Sequence, residues 1–438
     1  MMDGHANRTG ASPRPSHTGI RKDQGVRMKR RHSLALLAGL ALAMVLGLAS
    51  ATTVTVQIPF YSDATKPFFE DAAKAFMQAH PDIKVDIQEA TWDNLHQVLV
   101  TDIAAKKAPD ISIIGTRWLP EYISSNVAMP LALPSSFTGR FIPAFLGPSS
   151  IQGQLYGLPW AASDRALIYN KDLFKQAGIE SPPKTWDELQ ADAQKIAALP
   201  GRYGFGLQGS QIETDVYYYY FLWGAGGEIV GPNGNSGLHS QAASDALTFL
   251  KGLVDAKVVE PNVTSNTRED LRALFGQGRL GMFIYLPPII GWLKDNAPNV
   301  NYGIAALPYK TTPVTYAVTD TIMMFKPSVT GASDQQVKDA QAFLEFVFSK
   351  DNRVNYNKKE GFLPVLQDVA QDPYFTGNEQ LNAFVQLLPT AKFAPIIPNW
   401  EKIAQRTTTM LQNVYLNQEQ PQPALDAAAS DIDKILQQ

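Results

Sequence analysis

The apolar positions between residues 54 and 114 follow two different periods in turn. Residues 54–58 and 83–87 alternate apolar and polar side chains, which is typical of a strand. Residues 67–77 and 95–105 instead repeat their apolar positions at the spacing of one helix face. Residues 109–114 form a short apolar run that suits a buried parallel strand. This order of strands and helices predicts an α/β fold with a parallel sheet and helices on its faces.

The alternation of strands and helices continues to the end of the chain. Thr185 predicts a helix start, because Glu188 follows three residues later as in a capping box. If Tyr217–Trp223 is a helix, its aromatic side chains lie on all faces, so we expect some in the core and others facing a ligand. Further predicted elements are helices at 170–178, 185–198, 240–256, 334–349, 399–416 and 422–437, and strands at 203–207 and 314–325.

Three loops after the first three predicted strands carry candidate ligand-binding residues. Ligands of parallel α/β sheets bind beyond the carboxyl ends of the strands. These loops hold Tyr61, Trp92 and the pair Arg117-Trp118. Each loop offers an aromatic beside a charged group, and we expect all four side chains to face a ligand. The competing interpretation is that the aromatics pack or cap the sheet and that Arg117 is a solvated or helix-pairing cation.

A charged pair, Asp164-Arg165, interrupts the small and apolar run 161–168. Burying a charge is costly unless something pairs with it, so this stretch is expected to be a binding site or a hinge. We expect both residues to contact a ligand. The alternative is that they pair with each other or with neighbouring backbone. Trp160, on the turn just before them, is either a wall of the site or a packing residue of the hinge.

The stretch around this pair also carries a recognisable sequence pattern. Tyr169–Leu173 is YNKDL and Pro183–Trp186 is PKTW. Together they resemble the extracellular solute-binding proteins of the sugar-binding family, the receptors of ABC importers that include maltose-binding protein. In that family the pattern marks the first crossing between two lobes. Residues 271–284, 300–308 and 361–365 resemble later family elements, so the resemblance covers essentially the whole chain after residue 51.

The resemblance implies a two-lobed periplasmic-binding-protein fold with an interlobe hinge and a ligand cleft. Lobe one would comprise residues 52–160 with 316–362, and lobe two residues 161–315 with 363–438. Three crossings between the lobes would form a hinge that bends around the cleft.

Residues 1–51 predict a cleavable signal peptide. A basic segment at Met28–Arg31 precedes an apolar run, 34–48, that is too short to span a bilayer comfortably, and 49–51 is a small-residue cleavage site. Because this signal is complete from Met28, Met28 is favoured over Met1 as the true start. The absence of cysteine excludes a lipoprotein anchor, disulfides and thiolate sites. The expected location is the periplasm or the extracellular space.

The charge of the chain argues against nucleic acid as a partner. The first 51 residues hold eight Lys or Arg and two Asp or Glu, which leaves 30 basic and 39 acidic residues and a net charge near −9. A nucleic-acid surface needs clustered positive charge. No apolar run after the signal reaches the length of a transmembrane helix. We expect a soluble, acidic, exported protein that acts as a monomer.

A sugar has hydroxyl edges and apolar faces, so a site for it needs aromatic rings and hydrogen-bonding side chains in a mostly apolar cleft. Trp223 and Trp400 are further candidates, with core packing as the alternative. Tyr285 could substitute for a stacking Trp that relatives often carry in a Gly-Pro-Trp segment, which this chain lacks. Asp320 is a candidate whose rival interpretation is a hydrogen-bonded core aspartate. The predicted ligand-binding residues are Tyr61, Trp92, Arg117, Trp118, Trp160, Asp164, Arg165, Trp223, Tyr285, Asp320 and Trp400.

The sequence predicts no catalytic residue, no metal site and no cofactor. It contains no HExxH, GxSxG or Walker pattern, and His80, His96 and His239 are widely scattered. The resemblance implies a receptor that closes around a mono- or oligosaccharide and delivers it to the membrane permease subunits of an ABC importer. Two alternatives stay open. One is a secreted glycosidase or lyase, and the other is a receptor of the same fold for a non-sugar solute such as glycerol phosphate or an oligo-uronate, which several basic residues in the cleft would favour.

Overall fold

A computed structural model describes residues 51–210 and 213–438. The expected signal peptide therefore lies outside the described residues, apart from Ala51. The strands are β1 Thr52–Pro59, β2 Ile83–Ala90, β3 Ile111–Gly115, β4 Ser150–Ile151, β5 Gln154–Leu155, β6 Gly157–Ser163, β7 Ala166–Asn170, β8 Tyr203–Gly206, β9 Leu280–Tyr285, β10 Tyr302–Ala305, β11 Thr315–Tyr316, β12 Val318–Met324 and β13 Ala391–Lys392.

The α-helices include all those expected from the apolar spacing. They are α1 Thr65–Ala79, α2 Trp92–Ala104, α3 Leu119–Ser124, α4 Ser135–Thr138, α5 Pro143–Leu146, α6 Lys171–Gln176, α7 Trp186–Ala197, α8 Thr214–Gly224, α9 Gln241–Asp255, α10 Arg268–Gly276, α11 Ile289–Asn296, α12 Pro327–Thr330, α13 Asp334–Val347, α14 Lys350–Glu360, α15 Gln367–Ala370, α16 Pro373–Thr376, α17 Glu379–Val385, α18 Trp400–Tyr415 and α19 Pro421–Leu436. No helix within the described ranges is both long and apolar enough to cross a bilayer.

A five-stranded sheet has the order β2-β1-β3-β12-β6. Its first three strands pair in parallel, as the sequence predicts. The fourth, β12, comes from much later in the chain and runs antiparallel to both of its neighbours. Val54, Val56 and Ile58 of β1 are fully buried, and α1 packs against this sheet through Phe69 and Phe76. The alternating pattern thus correctly located the buried face of β1, and the helical pattern correctly located the buried face of α1.

A four-stranded sheet has the order β10-β7-β9-β8. Helix α8 packs beside it, and the Tyr217 hydroxyl donates a hydrogen bond to the Ile284 carbonyl of β9 at 2.9 Å. The Tyr218 hydroxyl donates to the Ala243 carbonyl of α9 at 2.9 Å. All residues of α8 are buried, so each tyrosine hydroxyl that finds a carbonyl avoids the penalty of an unpaired polar group.

The two larger sheets are joined by very short connections. Only Asp164 and Arg165 separate β6 of the first sheet from β7 of the second.

The single strand expected at 314–325 is divided at Ala317: β11 pairs with β13, whereas β12 joins the five-stranded sheet. Sequence periodicity could not show this division, because both halves have strand-like composition and only their distant partners differ.

Candidate functional site

A cleft that opens to solvent lies beyond the carboxyl ends of β1, β2 and β3, and the space in it and at its mouth that holds no protein atoms is about 940 Å³. One side of it is lined from the five-stranded sheet. The other side is lined by residues that flank strands of the four-stranded sheet, by residues at the starts of α8 and α10, and by the segment before α18. Among the residues that line it are six of the eleven predicted ones, namely Tyr61, Trp92, Arg117, Trp118, Arg165 and Asp320. Other lining residues used below are Thr116, Ser163, Glu213, Arg268, Tyr316, Thr319, Phe362 and Phe393.

Four aromatic rings form a connected wall of the cleft. Trp92 meets Tyr61 edge-on at 5.5 Å between ring centroids and meets Trp118 at 5.8 Å. Phe362 meets Tyr61 at 4.9 Å. Three of these rings stand on the three strand-end loops, so the sheet geometry brings together residues that are far apart in sequence. Edge-to-face contacts of this kind stabilise the wall and hold its rings in a fixed arrangement.

Arg117 and Trp118 contact the same carboxylate outside the cleft. Glu401 Oε1 lies 2.8 Å from Arg117 Nε and accepts a hydrogen bond from Trp118 Nε1 at 2.7 Å. Arg117 Nη1 also lies 3.4 Å from Asp215 Oδ2. Although burial alone would lower the pKa of Arg117, the charges of Glu401 and Asp215 raise it, so this guanidinium stays charged.

The Asp215 carboxyl is fully buried beside Arg117. Burial raises its pKa to about 6, even though the Arg117 charge acts in the opposite direction. The neighbouring charges of Glu401 and Glu213 raise it further. This group is therefore ionised at neutral pH and takes up a proton in mildly acidic solution.

A second charged group links Arg165 and Arg268 through Glu213. The Glu213 carboxylate lies 3.0 Å from Arg165 Nη2 and 2.6 Å from Arg268 Nη1. Arg165 Nη1 also donates to the Ser163 hydroxyl at 2.8 Å. Burial would raise the pKa of Glu213, but Arg268, Arg165 and Arg117 together lower it below its ordinary value. Both arginines in this group are thus held by one carboxylate that stays charged.

Asp320 lies on β12 in the cleft floor and accepts a hydrogen bond from the Tyr61 hydroxyl at 2.7 Å. Burial raises the pKa of Asp320 to about 7, despite the opposing effect of the Tyr61 hydrogen bond. The same carboxyl can therefore accept hydrogen bonds when ionised and donate one when protonated, which suits a ligand rich in hydroxyl groups.

A chain of buried hydroxyl groups continues from the cleft into the five-stranded sheet. Thr116 Oγ1 lies 3.1 Å from Thr319 Oγ1 and 2.7 Å from Thr321 Oγ1. Thr321 Oγ1 in turn lies 2.8 Å from the Ser149 hydroxyl. The Thr116 hydroxyl also donates to the Thr319 backbone carbonyl. Because a hydroxyl has one hydrogen, Thr116 then accepts from the hydroxyls of Thr319 and Thr321.

Five predicted site residues lie outside the cleft lining. Trp160 is fully buried in a core of Phe69, Tyr356 and Arg353, whose guanidinium carbon lies 4.3 Å from the Trp160 ring. Asp164 is also fully buried, and neither of its carboxyl oxygens receives a hydrogen bond from another described residue. Burial raises the pKa of this carboxyl to about 7.

The other three residues outside the lining pack directly behind it. Trp223 stacks on the cleft residue Tyr316 with ring centroids 5.3 Å apart. Tyr285 is buried under Arg268, and Trp400 is buried beside Tyr219. These aromatics were predicted to bind a ligand because they lie near expected ends of strands and segments. That position alone does not show whether a ring faces the cleft or packs behind a ring that does.

Sequence reasoning missed Glu213, Arg268, Tyr316 and the two phenylalanines, Phe362 and Phe393. Phe362 follows Gly361, whose positive φ of 80° ends α14, so a closer reading of that glycine could have marked the turn into the cleft. Glu213 precedes α8 in a left-handed conformation, with φ of 61°. Nothing in its local sequence indicates that two arginines distant along the chain converge on it.

In the part of the chain that the structure describes, no group of three or more His, Cys, Asp or Glu side chains is arranged to hold a metal ion. The polar groups of the cleft are instead paired with one another as described above.

Comparison with known proteins agrees with this arrangement. Residues 62–354 match the family model of bacterial extracellular solute-binding proteins. A putative binding protein of Brucella abortus (strain 2308) is 45% identical over 412 residues, which cover 93% of this chain and 99% of that protein. The diacetylchitobiose-binding protein of Streptomyces coelicolor is 25% identical over 334 residues, which cover 73% and 74%.

A solved structure shows the same fold. The ABC transporter solute-binding protein of Thermotoga lettingae TMO, bound with α-D-tagatose, has a TM-score of 0.80 and 27% identity, and the match covers 88% of this chain and 100% of that one. The α/β architecture with two larger sheets is therefore the two-lobed fold of periplasmic binding proteins. On the strength of the family match, the sequence relatives and this fold, the chain belongs to the bacterial extracellular solute-binding proteins.

Proposed function

We propose that this protein is a carbohydrate receptor that binds a mono- or oligosaccharide in its cleft and delivers it to an ABC importer. The observation that carries the proposal is the composition of the cleft wall. A connected set of aromatic rings stands beside Asp320 and the Thr116–Thr319 hydroxyls. Rings cover the apolar faces of a sugar, while carboxyl, hydroxyl and guanidinium groups bond its hydroxyls.

The ligands of similar proteins support this proposal. The Thermotoga lettingae structure holds α-D-tagatose, and the Streptomyces coelicolor relative is named for diacetylchitobiose. One is a monosaccharide and the other a disaccharide derivative. These ligands agree with a carbohydrate as the class of solute, and they leave the length of the sugar to be determined.

We propose the predicted division into two lobes, residues 52–160 with 316–362 and residues 161–315 with 363–438. The pairing of strands supports it except at residues 161–163, which belong to β6 of the first sheet. Strands β1, β2, β3 and β12 share that sheet, whereas β7 to β10 share the other. The short β6–β7 connection would act as part of the hinge. A ligand that contacts both lobes binds the closed arrangement more tightly, and this difference in affinity drives closure.

For the ligand itself, we propose direct contacts with the six predicted residues that line the cleft, Tyr61, Trp92, Arg117, Trp118, Arg165 and Asp320. The five that lie behind the lining would support it from the core instead. Trp223 supports Tyr316 by stacking, and Trp160 anchors the β6 end of the hinge together with Arg353.

The pairing of the arginines favours a neutral sugar over an anionic solute. Three arginines line the cleft, and unpaired they would attract a phosphate or a uronate. Arg117 contacts Glu401 and Asp215, and Arg165 and Arg268 share Glu213. An anion would have to compete with these carboxylates, whereas a sugar hydroxyl can accept from a paired guanidinium without displacing its partner.

We also propose how the protein acts, where it acts and which partner it contacts. The family is one of solute-binding receptors, and we propose that this member binds without chemical turnover. It would act as a monomer outside the cytoplasmic membrane, after removal of residues 1–51, and its closed form would dock on the permease subunits of the importer.

A thermal-shift screen tests the ligand class. The panel would include α-D-tagatose, maltose, diacetylchitobiose and galacto-oligosaccharides, with glycerol 3-phosphate and oligogalacturonates as anionic competitors. A ligand that binds only the folded state adds about 2.7 kcal/mol of stability at a concentration of 100 times its Kd, which raises Tm. We expect at least one neutral sugar to do so, with one-to-one stoichiometry by titration calorimetry.

Two results would contradict the proposal. A shift with glycerol 3-phosphate or an oligogalacturonate alone would support the anionic receptor. Release of new reducing ends from an oligosaccharide during prolonged incubation, measured by chromatography, would show an enzyme.

A further inference from the structure

Glu401 lies outside the cleft lining but contacts two side chains that form it. Its Oε1 atom lies 2.8 Å from Arg117 Nε and accepts a hydrogen bond from Trp118 Nε1 at 2.7 Å. These two residues are adjacent on the loop that follows β3 of the five-stranded sheet. One carboxylate oxygen thus fixes a cation and an indole that face the cleft.

Asp215 reinforces this contact from a second helix. Its side chain is only 2% exposed, and its Oδ2 atom lies 3.4 Å from Nη1 of Arg117. The attraction between these two buried charges is stronger than in water because it is screened less, although burial of the Asp215 carboxylate costs more than this attraction returns. Removing one partner would leave the remaining charge buried and uncompensated.

The two carboxylates belong to the side of the cleft opposite Arg117. Helices α8 and α18, which carry Asp215 and Glu401, pack against each other, and the hydroxyls of Tyr219 and Thr407 lie 3.1 Å apart between them. Helix α8 is in turn bonded to β9 of the four-stranded sheet through Tyr217. The contacts of Arg117 and Trp118 therefore connect the five-stranded sheet to the helices of the four-stranded one.

We propose that Glu401 and Asp215 form a latch with Arg117 and Trp118, which draws the two lobes together even when no ligand lies between them. All four partners are protein side chains, so their attraction does not depend on a ligand. Glu401 is in addition a positioning residue, since it sets the orientation of Arg117 and Trp118 in the cleft wall. This inference rests on the proposed function in one respect, because both assume that the two lobes move about a hinge.

The latch has a consequence for affinity. A receptor whose binding-competent state is fractionally populated shows an apparent Kd increased by the inverse of that fraction. The latch raises the closed fraction of the free receptor and so lowers the energy that a ligand must supply for closure. If loss of the latch lowers that fraction about tenfold, the apparent Kd rises about tenfold.

The closed fraction can be measured without any ligand. Because the chain has no native cysteine, Lys74→Cys on α1 and Asp187→Cys on α7 provide two exposed sites for spin labels, one on each lobe. Double electron–electron resonance on the ligand-free full-length mature protein gives the distribution of distances between them. In the doubly labelled protein without further substitutions we expect a measurable population at a short distance beside the longer distance of the open form, and we expect the Asp215→Asn/Glu401→Gln double variant to lose that short-distance population.

The positioning role of Glu401 has a separate readout. Glu401→Gln removes the charge but keeps an oxygen that can accept from Trp118, whereas Glu401→Ala removes both. In spectra of indole ¹⁵N-labelled protein, with the Trp118 signal assigned through Trp118→Phe, we expect a small change for Gln and a large upfield change of the indole proton for Ala. Asp431→Asn, which breaks the Arg406–Asp431 pair within the two C-terminal helices, is the matched control and should leave both measurements unchanged.

Three outcomes would overturn the inference. The ligand-free protein could show only the long distance, or the double variant could keep the short-distance population while its Tm stays unchanged. A fall in Tm with unchanged distances would show that the four residues stabilise the fold without latching it. None of these results depends on which solute binds, so the thermal-shift screen can fail while the latch holds, and the reverse.

Discussion

At the scale of single residues, the aromatic side chains that line the cleft differ from the other aromatics in the groups that surround them. Trp92 and Trp292 are both half-buried tryptophans near a helix start. Trp92 lines the cleft and contacts other rings, whereas Trp292 packs under Arg272, whose guanidinium carbon is 4.7 Å from its ring. Burial alone does not separate the two, but their neighbours do.

This contrast gives a prediction about affinity. Trp92→Ala removes a wall of the cleft and the support of Tyr61 and Trp118, so we expect the affinity for the best sugar of the thermal-shift panel to fall at least tenfold. A loss of that size corresponds to about 1.4 kcal/mol, within the usual range for an aromatic contact with a ligand. Titration calorimetry measures it. Trp292→Ala is the matched control and should bind as the parent does; equal losses in the two variants would contradict a role of Trp92 in the site.

At the scale of secondary structure, sequence patterns were most reliable where the deciding contacts are local. The capping box expected at Thr185 is present, since its hydroxyl accepts from the Glu188 backbone amide and the Glu188 carboxylate accepts from the amide of Thr185. Both partners lie within four residues, so the sequence contains the whole interaction. Thr91 also precedes a helix in extended conformation, but its side chain caps no backbone amide.

These two threonines make a direct test of the capping contribution. We expect Thr185→Ala to lower the free energy of unfolding by about 1 kcal/mol, because the cap and its reciprocal partner are lost. Thr91→Ala should change it by much less. Urea unfolding of both variants beside the parent measures the difference. Equal destabilisation by the two substitutions would show that the capping box contributes nothing specific, and sugar binding should be unaffected by Thr185→Ala.

The candidate site was predictable only in part, because some of the contacts that form it join residues far apart in the sequence. Tyr61, Trp92, Arg117 and Trp118 follow strands whose order and direction the periodicity indicates, and the strand-end rule then places them at one edge. Glu213 is different, because it matters through Arg165 and Arg268, which approach it from 48 and 55 residues away. Contacts of that range depend on how the two sheets are placed, and local patterns carry no information about it.

At the scale of the whole molecule, the structure buries several acids whose partners do not offset the effect of burial on the pKa. Burial raises the pKa of Asp164 to about 7, that of Asp320 to about 7 and that of Asp215 to about 6. It also raises the pKa of Glu260 to about 8, and one oxygen of that carboxyl receives no hydrogen bond from another described residue. Two of these groups lie in or beside the cleft, so the receptor holds several carboxyls close to the point of protonation at neutral pH.

These shifts determine how stability depends on pH. A carboxyl whose pKa is raised on folding binds its proton more tightly in the folded state, so the folded state carries more protons between about pH 4 and pH 8. Stability must then fall as the pH rises through that interval, because the four groups ionise in the folded protein only at a free-energy cost. The carboxylates with lowered pKa, among them Glu213 and Asp431, oppose this trend only at lower pH, where their stabilisation is lost.

We therefore expect Tm to be higher near pH 5.5 than at pH 8, and to fall again below about pH 4. Differential scanning calorimetry across this range measures the profile. Asp164→Asn provides the sharpest check, because the amide keeps the shape of the side chain but has no charge to bury. At pH 8 the variant should be more stable than the parent by about 1–3 kcal/mol, because the parent holds an unpaired charge in its interior whereas the amide is neutral. This advantage should shrink as the pH falls to 5.5 and disappear near pH 4, where the carboxyl is protonated in both the folded and the unfolded state. A parent that is most stable at pH 8, or a variant whose advantage is the same at both pH values, would show that Asp164 is not a buried, uncompensated acid.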